Sequence, residues 1–104
     1  MSDRHESSEP RLCAVVVLYR EDAAQSRAIK SLQKAFENQP ALASQLLVCV
    51  YDNSPAPLPL PRDLFTCRCI SFRPGHNNGL AEAYNTALHI AGENGIGWLL
   101  LLDS

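Results

Sequence analysis

Residues 12–19 read LCAVVVLY. The run is continuous, apolar and rich in β-branched side chains. It predicts a strand buried on both faces, as in a parallel sheet. Downstream, Asp22 to Asn38 carries Ala24, Ala28, Leu32, Ala35 and Phe36 at helical spacing with polar residues between them. Asp22 can cap the start of that helix, and Pro40 lies just past its end. Leu46–Tyr51, LLVCVY, predicts a second buried strand, and Asp52-Asn53-Ser54-Pro55 follows as a turn signal. Pro55 to Pro61 alternates proline with small or apolar residues and reads as extended connector.

The second half repeats the theme. Arg68–Phe72 predicts a short third strand, followed by a loop over Arg73 to Asn78. Leu80, Ala83, Tyr84, Ala87, Leu88 and Ala91 fall on one face of an amphipathic helix. Gly92 and Gly95 close it. Ile96–Leu102, IGWLLLL, predicts a fourth buried strand that delivers Asp103 at its carboxyl end. Strand, helix, strand, strand, helix, strand makes an α/β fold with a mainly parallel sheet and flanking helices. In such sheets ligands bind beyond the carboxyl ends of the strands.

Composition narrows the function. The chain has 104 residues, which suits one small domain. A net charge of -2 offers no basic field for nucleic acid. No apolar run approaches the roughly 18–20 residues of a membrane span. Residues 1–11 are polar and lack the apolar core of a secretory leader, so they read as a flexible lead and the location as cytoplasmic. Cys13 and Cys49 sit in strand-like runs as buried thiols. Cys67 and Cys69 are too close together for a usual zinc site.

Polar residues end most of the strands: Tyr19-Arg20, Asp52-Asn53-Ser54 and Asp103-Ser104. Asn77-Asn78-Gly79 opens the second helix. There, unpaired N–H groups and the positive dipole end favour an anion such as a diphosphate. Asn78 is a good cap, and Gly79 lets the backbone approach a ligand closely. Asp52 can accept from a nucleobase imide or a ribose hydroxyl, or simply close an Asx-turn. Tyr19 and Arg20 can stack on a base or pair with a phosphate. Asp103 is of the type that holds a hard divalent cation. His5, His76 and His89 have no metal-ligand spacing, and "GENGIG" at residues 92–97 is not a dinucleotide fingerprint.

In order and spacing, these segments resemble the N-terminal part of family 2 glycosyltransferases, which have the Rossmann-like GT-A fold. The resemblance is carried by VVVLYR (15–20), SLQ (31–33), VYDNSP (50–55), NNGLAEAYNTAL (77–88) and WLLLLDS (98–104), and covers nearly everything from Leu12 onward. The second-helix wording looks most like a rhamnosyltransferase-type branch.

The resemblance implies a sheet order of 3-2-1-4 and a UDP- or dTDP-sugar donor. The donor residues would be Leu18, Tyr19, Arg20, Asp52, Asn53, Asn78, Gly79 and Asp103, with Asp52 on the nucleobase. Asp103 would be the first acid of an Asp-x-Asp signature that holds ribose and a diphosphate bound to Mn²⁺ or Mg²⁺. The last acid, the catalytic base and most of the acceptor site would lie beyond Ser104. Residues 12–104 are therefore expected to be a donor-binding part, incomplete at its C-terminal side and not active alone. The complete enzyme would transfer sugar to a glycan or lipid-linked acceptor hydroxyl in cell-surface polysaccharide synthesis, peripheral to the inner membrane face. The alternative is a non-catalytic α/β binding or regulatory domain derived from a transferase. In the implied order the fourth strand is an apolar edge, so self-association is expected.

Overall fold

The structure is a computed structural model that describes residues 10–20, 22–56, 60–61 and 64–102. Four parallel strands form one sheet: β1 (Leu12–Leu18), β2 (Leu46–Asp52), β3 (Arg68–Phe72) and β4 (Leu99–Leu102). Their order is β3-β2-β1-β4, as expected, and every pairing is parallel. The architecture is an α/β, Rossmann-like half. The order reverses at β1, which has β2 on one side and β4 on the other, so the topological switch point lies between β1 and β4.

The two helices take opposite faces of the sheet. α1 (Arg27–Asn38) buries Ala28, Ile29, Leu32 and Phe36 against Ala14, Val16, Leu18, Leu46, Val48 and Val50. α2 (Gly79–Glu93) lays Ala83, Ala87 and Ala91 on the other face, where Ala87 and Ala91 share a core with Cys13, Val15, Leu47 and Cys49. Three alanines four residues apart let α2 sit close to the strands. Alternate β1 and β2 residues supply the two cores, which is why both strands read as unbroken apolar runs. Full burial of each Ile, Leu or Val contributes roughly 1.5–3 kcal/mol.

Several boundaries differ from the sequence reading, each for a local reason. Asp22 does not start α1. Its carboxylate accepts from the Ala24 amide at 3.1 Å and caps a short 3₁₀ turn, Ala23–Gln25. Ser26 starts α1, its hydroxyl accepting from the Ile29 amide at 3.2 Å. Two capping residues four positions apart let the chain turn twice. Gly92 lies within α2. The residue that closes it is Gly95, at φ +69°, with the Ile96 amide donating back to the Ala91 carbonyl at 2.8 Å.

Strand β4 begins at Leu99 instead of Ile96 and is not buried on both faces. Leu100 and Leu101 are 41% and 50% exposed. At the other end of the chain, residues 1–9 of the expected lead lie outside the described residues. Arg11 is tied down, its amide donating to the Gln45 carbonyl at 2.9 Å. Within the proline-rich connector, Pro55, Ala56, Leu60 and Pro61 are in no helix or strand, and residues 57–59 lie outside the described set. No helix among the described residues is long and apolar enough to cross a membrane.

Candidate nucleotide site at the carboxyl edge of the sheet

The ends of β1 and β2 and the start of α2 are joined by hydrogen bonds at one edge of the sheet. Register places Leu18 opposite Asp52, so the two strands end together. The Asn53 amide donates to the Leu18 carbonyl at 2.8 Å and extends that pairing by one residue. Leu18 itself is buried in the core beneath α1. What it offers at the edge is backbone.

Tyr19 and Arg20 follow, both exposed. Arg20 has φ +52°, a left-handed conformation that residues with a Cβ seldom adopt. The Ser54 hydroxyl accepts the Arg20 amide and holds the backbone there. The Arg20 guanidinium lies over the Tyr19 ring, 5.3 Å from its centroid, and its Nε donates to the Tyr19 hydroxyl at 2.9 Å. Together they form a planar cationic and aromatic pair at the end of β1, suited to stack on a ring or to pair with an anion.

Asp52, Asn53 and Ser54 are buried, although all three are polar. Burial of polar groups is tolerated when they are paired, and each is. An Asp52 carboxylate oxygen accepts from the Ser54 amide at 2.9 Å, closing an Asx-turn. Asn53 uses both ends of its side chain on the α2 segment. Its Oδ1 accepts from the Asn78 amide at 3.0 Å and its Nδ2 donates to the Gly79 carbonyl at 3.2 Å.

The mouth of α2 differs from expectation in one respect. Asn78 does not cap the helix through its side chain. Its Nδ2 donates instead to the Tyr51 hydroxyl at 2.8 Å, tying the loop to β2. The neighbouring Asn77 accepts from the Gly79 amide at 2.8 Å. The backbone explains the exchange. Asn78 is already in helical conformation, at φ -96° and ψ -3°, so its side chain cannot fold back as a cap would. Gly79 sits at φ +86°, a conformation that requires glycine, with open space where a Cβ would stand.

The edge therefore brings together Arg20, Asp52, Asn53, Ser54, Asn77, Asn78 and Gly79. Tyr51 is a participant that the sequence reading did not single out, whereas Ser54 and Asn77 stand in the polar groups it named at the strand end and the helix mouth. Tyr51 was hidden because it ends an apolar run and looks like core. Its ring is indeed buried and stacks on Phe72, with centroids 6.0 Å apart, while only its hydroxyl serves the site. Asp103 lies outside the described residues, and so does its expected role.

Elsewhere, a cleft of about 660 Å³ is lined by Gln33, Phe36, Glu37, Pro40, Leu64, Phe65 and neighbours. It involves the C-terminal half of α1 and segments that precede β2 and β3, so it opens at the amino edge of the sheet. His89 is exposed and pairs with Glu93 at 3.1 Å, a surface contact on α2. Among the described residues no three His, Cys, Asp or Glu side chains gather as a metal site. Comparison of the chain with family models, with curated proteins and with solved structures gives no match in any of the three.

Proposed function

We propose that this chain is the donor-binding part of a family 2 glycosyltransferase. It takes the nucleoside diphosphate of a UDP- or dTDP-sugar at the carboxyl edge of its sheet. The observation that carries this reading is the hydrogen-bonded convergence of Arg20, Asp52–Ser54 and Asn77–Gly79 beside the switch point of a parallel 3-2-1-4 sheet. In such a sheet that edge is where nucleotides bind.

The roles follow from the chemistry. Asp52 is an acceptor for a pyrimidine imide N–H. The Tyr19–Arg20 pair offers a flat cationic surface to the base or a phosphate. The start of α2 turns its dipole toward the diphosphate, and Asn53 and Tyr51 fix its position. In the complete enzyme the sugar would pass to an acceptor hydroxyl of a glycan or lipid-linked glycan, in cell-surface polysaccharide synthesis. A cytoplasmic position at the inner membrane face belongs to the same proposal.

A divalent cation, Mn²⁺ or Mg²⁺, would offset charge on the departing diphosphate. Within the proposal it would depend on Asp103. The described residues do not by themselves make a site for it: one Asp52 oxygen already holds the Ser54 amide, and no three-residue donor cluster is present among them.

A second reading is a non-catalytic α/β binding or regulatory domain. It is favoured by the internal pairing of the same groups. Both ends of the Asn53 amide are occupied, and Asn78 is tied to Tyr51, so the network can serve as architecture alone. Isothermal titration with UDP, dTDP and ADP, each with and without Mn²⁺, separates the two. Saturable binding of a pyrimidine diphosphate in preference to ADP supports the transferase reading. No heat with any of them favours the second.

A further inference from the structure

An asparagine is followed by a glycine at both ends of α2, as Asn78-Gly79 and as Asn94-Gly95. Asparagine is chemically labile in this setting. The glycine has no Cβ to obstruct its backbone nitrogen as it approaches the side-chain amide carbon. The two asparagines are held differently. The Asn94 side chain is fixed at both ends, its Nδ2 donating to the Ile90 carbonyl at 2.8 Å and its Oδ1 accepting from Arg68 at 3.3 Å. Asn78 is exposed, and its side chain has a single tether, the donation from Nδ2 to the Tyr51 hydroxyl at 2.8 Å. Its Oδ1 has no partner among the described residues.

Tyr51 makes that tether firm. Its ring is buried and stacks on Phe72, so the hydroxyl is held in place. The Gly79 nitrogen is engaged as well, its N–H donating to Asn77 Oδ1 at 2.8 Å. Ring closure between Asn78 and Gly79 must break both bonds.

We infer that Asn78-Gly79 is a deamidation site gated by the Tyr51 hydroxyl, and that its product closes the mouth of α2 to anionic ligands. The second clause rests on the proposed nucleotide site. The Gly79 nitrogen attacks Asn78 Cγ and forms a C–N bond. The Cγ–Nδ2 bond breaks, and Nδ2 leaves as ammonia with the proton that Gly79 gives up. Solvent water then opens the succinimide at either carbonyl, leaving aspartate or isoaspartate with a new carboxylate at residue 78. The departing nitrogen is the one that holds Tyr51, so the tether and the reaction exclude each other. The rate is set by how often that bond opens.

The new charge acts in two directions. A carboxylate at the start of a helix is favoured by the dipole. The Tyr51 hydroxyl, an acceptor for Asn78, can turn and donate to it. The aspartate product therefore keeps the fold. The same charge repels a diphosphate at that helix end. Deamidation turns the site off without unfolding the chain.

Ageing of the whole chain in mildly alkaline buffer, followed by peptide mass spectrometry, tests the gate. Deamidation at Asn78 should run about fivefold or more faster in Tyr51→Phe than in the parent, the effect of one lost hydrogen bond. Tyr51→Phe keeps the ring that packs on Phe72, and Asn94 is the control within the same molecule. Its rate should not change, because Tyr51 touches neither of its tethers. An unchanged rate at Asn78, or equal acceleration at both asparagines, would overturn the gate.

Asn78→Asp tests the consequence. It should bind UDP about tenfold or more weaker than the parent, while its thermal midpoint stays level or rises. Affinity equal to the parent's, or a lowered midpoint, would overturn this part. A parent that binds no UDP would overturn it together with the nucleotide-site proposal, and the rates at Asn78 and Asn94 would still decide the gate.

Discussion

Asn53 and Gly79 stand 26 positions apart in sequence, yet the Asn53 side-chain amide donates to the Gly79 carbonyl at 3.2 Å. The same side chain accepts from the Asn78 amide at 3.0 Å. One residue at the end of β2 thereby sets where α2 begins, and with it the direction in which the helix dipole points.

Asn53→Ala should leave the Asn78 amide and the Gly79 carbonyl without these partners. A loss of about 1–3 kcal/mol is expected, since stranded polar groups cost more than a typical bond contributes. Urea unfolding checks this. If nucleotide binding depends on the position of α2, affinity in the same variant should fall further than the loss of folded protein explains.

Two glycines of α2 should respond in opposite directions to alanine. Gly79→Ala forces φ +86° on a residue with a Cβ and should destabilise by roughly 1–2 kcal/mol, although no atom lies in the way. Gly92→Ala falls in the last helical turn, also in open space, and should stabilise by roughly 0.5–1 kcal/mol. Thermal melts of the two variants, run side by side, should move to either side of the parent.

Burial pushes the Cys49 thiol up to about 12, with Cys13 and Cys69 nearby adding to the rise. A thiol with a raised pKa keeps its proton in the folded chain after the unfolded chain has released it. The stability linked to Cys49 is therefore fully present below about pH 9 and is lost as pH climbs toward 12. The slope is about 1.4 kcal/mol per pH unit. Cys49→Val should flatten that part of the alkaline decline. Denaturant unfolding of parent and variant between pH 8 and about pH 11 measures the difference. Parallel curves would contradict it.

The sheet was readable because its strands carry unmistakable patterns. Leu12–Leu18 is apolar throughout and Leu46–Asp52 at every position but the last, and only a strand covered on both faces explains that. What misled was local choice between neighbours. Asp22 and Ser26 are both capping residues, and sequence gives no means of deciding which one starts the long helix. Asn77 and Asn78 differ only in backbone conformation, which the tertiary bond to Tyr51 helps to fix. β4 read as buried because four leucines look like core. Its exposure depends on which strands flank it, and residues 99–102 do not carry that information. The site was readable as a set of polar strand ends. It was not readable as a network, because Ser54 and Tyr51 act through bonds to residues 34 and 27 positions away.

Asp52 offers the most direct test of the nucleotide-site proposal. Asp52→Asn keeps an oxygen that can accept the Ser54 amide, so the turn and the fold should survive with little change in stability. The variant lacks the carboxylate charge and should discriminate poorly for a nucleobase imide.

The decisive measurement is a titration of parent and Asp52→Asn with UDP and dTDP, followed through the backbone amide resonances. The account predicts saturable shifts in the parent that centre on Arg20, Ser54 and Gly79, and an affinity reduced by about tenfold or more in the variant. Parent resonances that stay still at millimolar nucleotide, or shifts that survive Asp52→Asn unchanged, would contradict it.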